Sequence, residues 1–250
     1  MSLSYRQRLM KLILAGGGTV EGERFVTRPG VLMMNVTAPT PEAMALLDDI
    51  GLDTDLEPSA RVAAFDARLT YLAFPESARR TGEQYLGAVV QGKSHTSVTA
   101  RAYASVLFAG QSLEDSVELL AGRAGKSARL TSSDTEAMSD TLYRTQGSPD
   151  AQQQQREDIE RFLLWRASLS RDAVGGRYPH NMLNLSCRAT TMHMGMCIQD
   201  WHALFGGRLV KDGNEENVRE LFARACLLLH TRFPYLIQLP PFYGYQEILP

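Results

Sequence analysis

Residues 94–134 read SHTSVTARAYASVLFAGQSLEDSVELLAGRAGKSARLTSSD. The stretch opens on a His-Thr-Ser turn, His95-Thr96-Ser97. From Ala100 to Phe108 the side chains alternate: Ala102, Ala104, Val106 and Phe108 fall on one face, Arg101, Tyr103, Ser105 and Leu107 on the other. A period of two predicts a half-buried strand. Ser112-Leu113-Glu114-Asp115 then has the form of a capping box, with Asp where Glu is commoner. The helix it starts carries Leu113, Val117 and Leu120 on one predicted apolar face and stops at Gly122 and Gly125. The loop from Gly122 to Ser133 holds Arg123, Lys126 and Arg129 with Ser127, Thr131, Ser132 and Ser133, and no acid among them. Cations, hydroxyls and glycines together suit a phosphate. A solvated basic loop has the same composition, and the residues alone leave both readings open.

Working outward toward the N-terminus, the helices are punctuated by caps. Thr40-Pro41-Glu42 is a helix start: hydroxyl N-cap, Pro in the first turn, then an acid. That helix runs to Gly51, and Val31–Val36 before it reads as the first strand. Asp53 to Glu57 reads as an acidic linker. A helix from Ser59 places Val62, Phe65 and Leu69 on one face, and another spans about Glu76 to Val90. Leu9–Ala15 is too short and too charged for a signal segment, and Gly16-Gly17-Gly18 after it is expected to be a flexible loop.

Toward the C-terminus, Gln146–Gln155 is expected to be a polar loop leading into a helix capped by Ser148-Pro149, with Ile159, Phe162, Leu163 and Leu169 inward. A Met-rich helix is expected over about Thr190 to Leu204, broken by Gly206-Gly207. Asn214 caps the last helix, which buries Val218, Leu221, Phe222, Ala225 and Leu229 and ends at Phe233-Pro234. Strands mixed with long helices, and no strict βαβ alternation, predict an α+β fold: an antiparallel sheet with packed helices.

The 250 residues are 44% apolar and 22% charged, with a formal charge of −2. No global field draws such a chain to nucleic acid or a membrane surface. No apolar run reaches the roughly 20 residues of a membrane span. Cys187, Cys197 and Cys226 are too scattered for a disulfide framework or a CxxC metal site, which points to reduced thiols and the cytoplasm. The five histidines lack metal-binding spacing, no GxSxG elbow is present, and no partner activates Cys197, so no metal is expected.

The order of these segments resembles the flavin-dependent thymidylate synthases. Their GHTSVLEH segment is similar to Ser94–Arg101, and their ELVRHR helix end to Glu118–Arg123. Their LPHN turn is similar to Tyr178-Pro179-His180-Asn181, and their RAWRHFIELR helix to Gln199–Arg208. Their EIREL and FP patterns resemble Asn217–Leu221 and Phe233-Pro234. The likeness covers residues 31–235, between an N-terminal extension (1–30) and a C-terminal tail (236–250), and implies a single domain over 1–250. The chain departs from the RHR signature: Ala121 and Gly122 stand for the first Arg and the His, and Arg123 is kept. Cys197 and Gln199 replace a flavin-holding Asn and Arg.

The resemblance implies an α+β fold of that family and FAD-dependent C5-methylation of a uridine nucleotide. NADPH would reduce the flavin and methylenetetrahydrofolate would supply the carbon. It implies that His95, Thr96, Ser97 and Arg123 meet cofactor. Glu118, Lys126, Ser127, Arg129, Thr131, Ser132 and Arg208 would meet substrate, with Arg208 and Thr131 as the catalytic pair. It also implies a homotetramer with shared active sites. The eroded signature suggests a branch acting on UMP, as in pathways to polyoxin-type nucleoside antibiotics, with dUMP as a further substrate. The alternatives are a non-catalytic flavin- or nucleotide-binding homologue and an ordinary dUMP-methylating synthase.

Overall fold

A computed structural model gives the architecture and describes residues 5–22, 25–70, 73–74, 79–92, 95–120, 127–130, 143–144, 148–168, 189–210 and 216–241. Helix α1 (Tyr5–Ala15) leads to strands β1 (Thr19–Glu21), β2 (Phe25–Arg28) and β3 (Gly30–Val36). Helices α2 (Pro41–Asp49), α3 (Pro58–Thr70) and α4 (Gly82–Gly87) follow. The last passes into a π-helical turn, Ala88–Gly92, and then a 3-10 turn, Thr96–Arg101. Strand β4 (Tyr103–Ser112), α5 (Leu113–Leu120), β5 (Ser127–Leu130), β6 (Tyr143–Arg144) and α6 (Pro149–Ser168) come next. Strand β7 (Ala189–Cys197), α7 (Ile198–Val210) and α8 (Glu216–Arg232) complete the described chain.

Two sheets form, in the orders β1-β2-β6 and β3-β4-β7-β5. The pair β1–β2 is antiparallel, with a bulge between Thr19 and Val20. Strand β6 joins β2 in parallel, which adds a parallel pair to the expected antiparallel pattern. The α+β class is as expected.

The chain divides into two compact units. The first comprises Met1–Leu32, Leu107–Gly122 and Ala128–Met194; the second comprises Met33–Val106, Arg123–Ser127 and Gly195–Pro250. In the first, Leu9, Ile13, Val26, Ala109 and Ala189 form a buried cluster. In the second, Trp201 stacks on Phe205 at 5.4 Å, and Phe205 meets Phe222 edge-on at 6.4 Å. Such aromatic pairs each contribute about 0.5–1.5 kcal/mol beyond the area they bury. The predicted inner face of α8 is buried as expected: Val218, Leu221, Phe222, Ala225 and Leu229.

Local signals in the sequence act as read at several ends. Thr40 caps α2 by accepting the Ala43 N–H at 3.2 Å, with Pro41 next to it. The Ser112–Asp115 box closes both ways: Ser112 N–H donates to Asp115 Oδ2 at 3.2 Å, and Asp115 N–H to Ser112 Oγ at 3.0 Å. Ser148 caps α6 through Ala151 N–H at 3.3 Å.

Other expectations are corrected. Gly16-Gly17-Gly18 is not a flexible loop but a tight helix stop. Gly18 N–H donates to Ile13 C=O and Gly17 N–H to Leu14 C=O, with Gly17 at φ 66°. This is the Schellman pairing, which needs a left-handed residue that glycine adopts without a Cβ penalty. The predicted Met-rich helix begins as a strand. Met192, Met194 and Met196 recur every two residues on β7, and both of its faces are largely buried, so the polar-apolar alternation that reveals a strand is lost. Gly206-Gly207 does not break α7, which runs on to Val210. Helix α4 starts later than predicted, at Gly82, under a capping box of Thr81 and Gln84. Gln152–Gln155 are helical, inside α6.

Burial also picks different faces. Helix α3 buries Ala60, Ala63, Ala64 and Ala67 with Arg61 and Arg68, while Leu69 is exposed. Helix α5 buries Asp115, Ser116 and Leu119, while Val117 is exposed. The acidic linker is a brace. Asp53 (φ 48°) binds Arg68 in a bidentate pair at 2.8 and 2.7 Å, and Asp55 accepts the N–H groups of Gly82 and Glu83. Glu57 accepts those of Ser59 and Ala60. Leu169, Asn214 and the Tyr178–Asn181 turn lie outside the described residues, as do the side chains of Leu113, Phe162 and Leu163.

Candidate functional site

The second unit builds a junction at the start of β4. The end of β3 clamps β4 there. Thr37 N–H donates to Tyr103 C=O at 2.9 Å, and Tyr103 N–H donates to Thr37 Oγ1 at 2.9 Å. On the C-terminal side, Ile198 N–H donates to Ala102 C=O at 2.8 Å, and buried Trp201 Nε1–H donates to Ala104 C=O at 3.1 Å. These bonds fix the first turn of α7 beside β4. The 3-10 turn Thr96–Arg101 immediately precedes β4 in sequence and packs on α7 and on α3. Thr99 closes that turn, its hydroxyl donating to Thr96 C=O at 2.7 Å.

Gly195 on β7 is a close-approach position. A Cβ there would overlap the Tyr103 hydroxyl and sit 3.1 Å from Ser105 Cβ. Absence of a side chain lets the Tyr103 phenol lie across β7.

Beside the junction is a recess of about 100 Å³ lined by Thr37, Ala38, Pro39, Ser59, Val62, Arg101 and Ala102. Arg101 Nε–H donates to Asp66 Oδ2 at 3.1 Å and is largely exposed. Sequence reasoning missed this recess. Its only signal was hydroxyls at a strand end (Thr37) and a helix start (Ser59), which many proteins carry without consequence.

Burial tunes two titratable groups here, Cys197 at the end of β7 and His202 on α7. Desolvation pushes the Cys197 thiol up, and its S–H donation to Asp200 Oδ2 at 3.1 Å adds to that. A thiol held protonated is a poor nucleophile, which agrees with the reading that Cys197 is not activated. Burial lowers His202, favouring its neutral form.

The expected site residues fall as follows. His95 is the N-cap of the 3-10 turn, half-buried, with no side-chain capping bond; Thr96 is half-buried and Ser97 exposed. Arg208 is half-buried in the last turn of α7. The packing of the 3-10 turn on α7 therefore puts the His95–Ser97 segment and the Arg208 helix in one unit. Glu118 is half-buried on α5 in the other unit. Ser127 and Arg129 belong to β5, their side chains outside the described residues. Arg123, Lys126, Thr131 and Ser132 lie outside them as well.

No protein-family model and no curated protein matches the chain. Solved structures do match it, and they define the class of fold first: that of the flavin-dependent thymidylate synthases. One is the flavin-dependent thymidylate synthase ThyX of Helicobacter pylori complexed with FAD and dUMP. It has 13% identity and a TM-score of 0.59, over 83% of this chain and 97% of that one. A second structure of that ThyX with FAD and dUMP gives 14%, 0.56, 83% and 96%. The UMP/dUMP methylase PolB of Streptomyces cacaoi, bound with 5-Br dUMP, gives 10%, 0.54, 83% and 92%. The chain thus resembles both a thymidylate synthase and a UMP/dUMP methylase in fold.

Proposed function

We propose that the protein is a flavin-dependent C5-methyltransferase acting on a uridine nucleotide, UMP with dUMP as a further substrate. One observation carries this reading. The 3-10 turn Thr96–Arg101, which His95 precedes, is packed on α7, whose last turn carries Arg208, in a fold shared with a synthase bound to FAD and dUMP and a methylase bound to 5-Br dUMP. The residues at the turn suit a flavin edge. His95, half-buried, carries two ring nitrogens, and Thr96 and Ser97 carry hydroxyls at a half-buried and an exposed position. Bound FAD, reduced by NADPH, would supply the hydride, and methylenetetrahydrofolate the carbon.

The chain's own residues bind and polarise. His95, Thr96, Ser97 and Arg123 hold the cofactor edge. Glu118, Lys126, Ser127, Arg129, Thr131 and Ser132 hold the nucleotide. Arg208 donates to the uracil ring and stabilises the charge that develops there as C5 becomes nucleophilic. The raised thiol of Cys197 supports a route without a cysteine nucleophile. Cys197 and Cys226, both outside any disulfide, support a reducing, cytoplasmic setting. The two units interleave in sequence, which supports one catalytic domain over residues 1–250. Active sites are shared in a homotetramer, which light scattering would weigh.

The test uses purified protein with FAD, NADPH and methylenetetrahydrofolate, and mass spectrometry of the nucleotides. Methylated UMP is expected, and Arg208→Ala should lower turnover roughly 100- to 1000-fold with an unchanged circular dichroism spectrum. Colourless protein that ignores FAD and methylates neither nucleotide would instead leave the non-catalytic homologue. Turnover of dUMP alone would leave the ordinary synthase.

A further inference from the structure

The first unit contains a closed hydrogen-bond circuit of neutral side chains. Gln111, Ser112, Ser116 and Thr190 are each fully buried. Gln111 Nε2–H donates to Ser116 Oγ at 2.9 Å. Ser116 Oγ and Thr190 Oγ1 are 2.8 Å apart, and Thr190 Oγ1 donates to Gln111 C=O at 3.1 Å. The direction of each bond follows from counting protons. Thr190 has one hydroxyl proton and faces two carbonyls that can only accept, Gln111 C=O at 3.1 Å and Ser112 C=O at 3.4 Å, so that proton goes to the carbonyl side. Thr190 must then accept from Ser116. Ser116 has spent its own proton and must accept from the Gln111 amide. The circuit therefore has one sense, and it fixes the Gln111 amide with its nitrogen toward Ser116.

The circuit joins three elements: the end of β4, the first turn of α5 and the second residue of β7. The Ser112–Asp115 box holds that same turn from its other side. Helix α5 has only eight residues, and Glu118 follows Ser116 by two. Two residues are about 200° on the helix, so Glu118 projects away from the buried circuit. A short helix held at its first turn by directed bonds has little freedom to rotate. Apolar contacts would hold it less specifically, because dispersion has no direction.

We infer that Gln111, Ser116 and Thr190 are positioning residues that set the rotation of α5 and thereby aim Glu118 at the nucleotide. The inference rests on the proposed function, in which Glu118 binds substrate. The circuit itself touches no ligand. One acceptor, Gln111 Oε1, is buried without a hydrogen-bond partner among the described residues. A buried acceptor with no partner among the described residues adds cost to the circuit, as expected of a device kept for orientation.

The experiment compares Thr190→Val, which keeps the shape and removes the hydroxyl, with Thr190→Ser, which restores it. Amide hydrogen exchange over residues 113–120 reports helix anchoring without any ligand. Calorimetry of the FAD-loaded protein with UMP and dUMP reports binding. Thr190→Val should speed exchange in that segment and weaken nucleotide binding about tenfold, the scale of one lost hydrogen bond. Thr190→Ser should restore both, and Thr190→Val in a Glu118→Gln background should weaken binding much less than tenfold. Unchanged exchange overturns the inference. Faster exchange with unchanged nucleotide affinity also overturns it, because the circuit would then serve stability only. Wild-type protein that binds neither nucleotide marks failure of the functional reading before any variant is made, and the inference falls with it.

Discussion

Two buried polar clusters of this chain solve the same problem in opposite ways. In the second unit, Asp53 and Arg68 are a fully charged pair, 2% and 0% exposed in their side chains, with Arg68 also 4.0 Å from the Tyr85 ring centroid. In the first unit, Gln111, Ser116 and Thr190 form a neutral circuit. The charged pair ties α3 to the segment before it and is tolerated because two hydrogen bonds and a cation–π contact replace the lost hydration. The neutral circuit gives up less hydration and gains direction. Charge is used where a helix must be tied to the segment before it, and neutral directed bonds where a helix must be aimed.

The largest effect that would break this contrast is expected at the charged pair. Asp53→Asn leaves the Arg68 guanidinium buried without its counter-charge. It should cost about 3–5 kcal/mol in urea unfolding. The double variant Asp53→Asn/Arg68→Met should recover much of that loss. A single variant that loses under about 1 kcal/mol would show that the pair contributes no more than a surface bridge.

A smaller effect is expected in the neutral circuit. Gln111→Leu removes one donor and also the acceptor that has no partner among the described residues, so the two changes partly offset. The net loss should stay below about 2 kcal/mol by the same measurement. A loss as large as that of Asp53→Asn would erase the distinction drawn between the clusters.

The smallest effect concerns pH and belongs to the charged region alone. Partial burial works to raise the Asp55 carboxyl, but the Glu83 and Gly82 N–H groups outweigh it and hold it below the ordinary carboxylate value. A folded value below the unfolded one means stability that is present above the unfolded pKa and lost as pH falls through the folded one. Acid unfolding should therefore lose part of its pH slope below about pH 4 in Asp55→Asn. The Gln111→Leu profile should keep the wild-type slope. An Asp55→Asn profile parallel to wild type would show that Asp55 does not cap α4 in solution.

Much of the frame was legible locally. Thr40-Pro41, Ser112–Asp115 and Ser148-Pro149 mark helix starts because a capping hydroxyl or carboxylate needs only its own next few residues. The buried face of α8 was legible because large apolar side chains at helical spacing have no other use. Of the expected site, the His95–Ser97 turn and Arg208 could be placed on elements that pack together. The recess lined by Thr37, Ser59 and Arg101 could not be foreseen, since its walls come from three separate segments.

Periodicity and capping chemistry thus decided the α+β class, most helix starts and the strand from Tyr103 onward, because those depend on neighbours along the chain. Packing decided the rest. Strand β7 is buried on both faces, so nothing in its polarity separates it from a helix. Helix α3 turns its alanines inward because Arg61 and Arg68 need buried partners, Leu52 C=O and Asp53, that lie 9 and 15 residues away. The same holds in residues 94–134. Their strand and capped helix are local features, but the bond from Ser116 to Thr190 crosses 74 residues, and only the folded chain brings those two hydroxyls together.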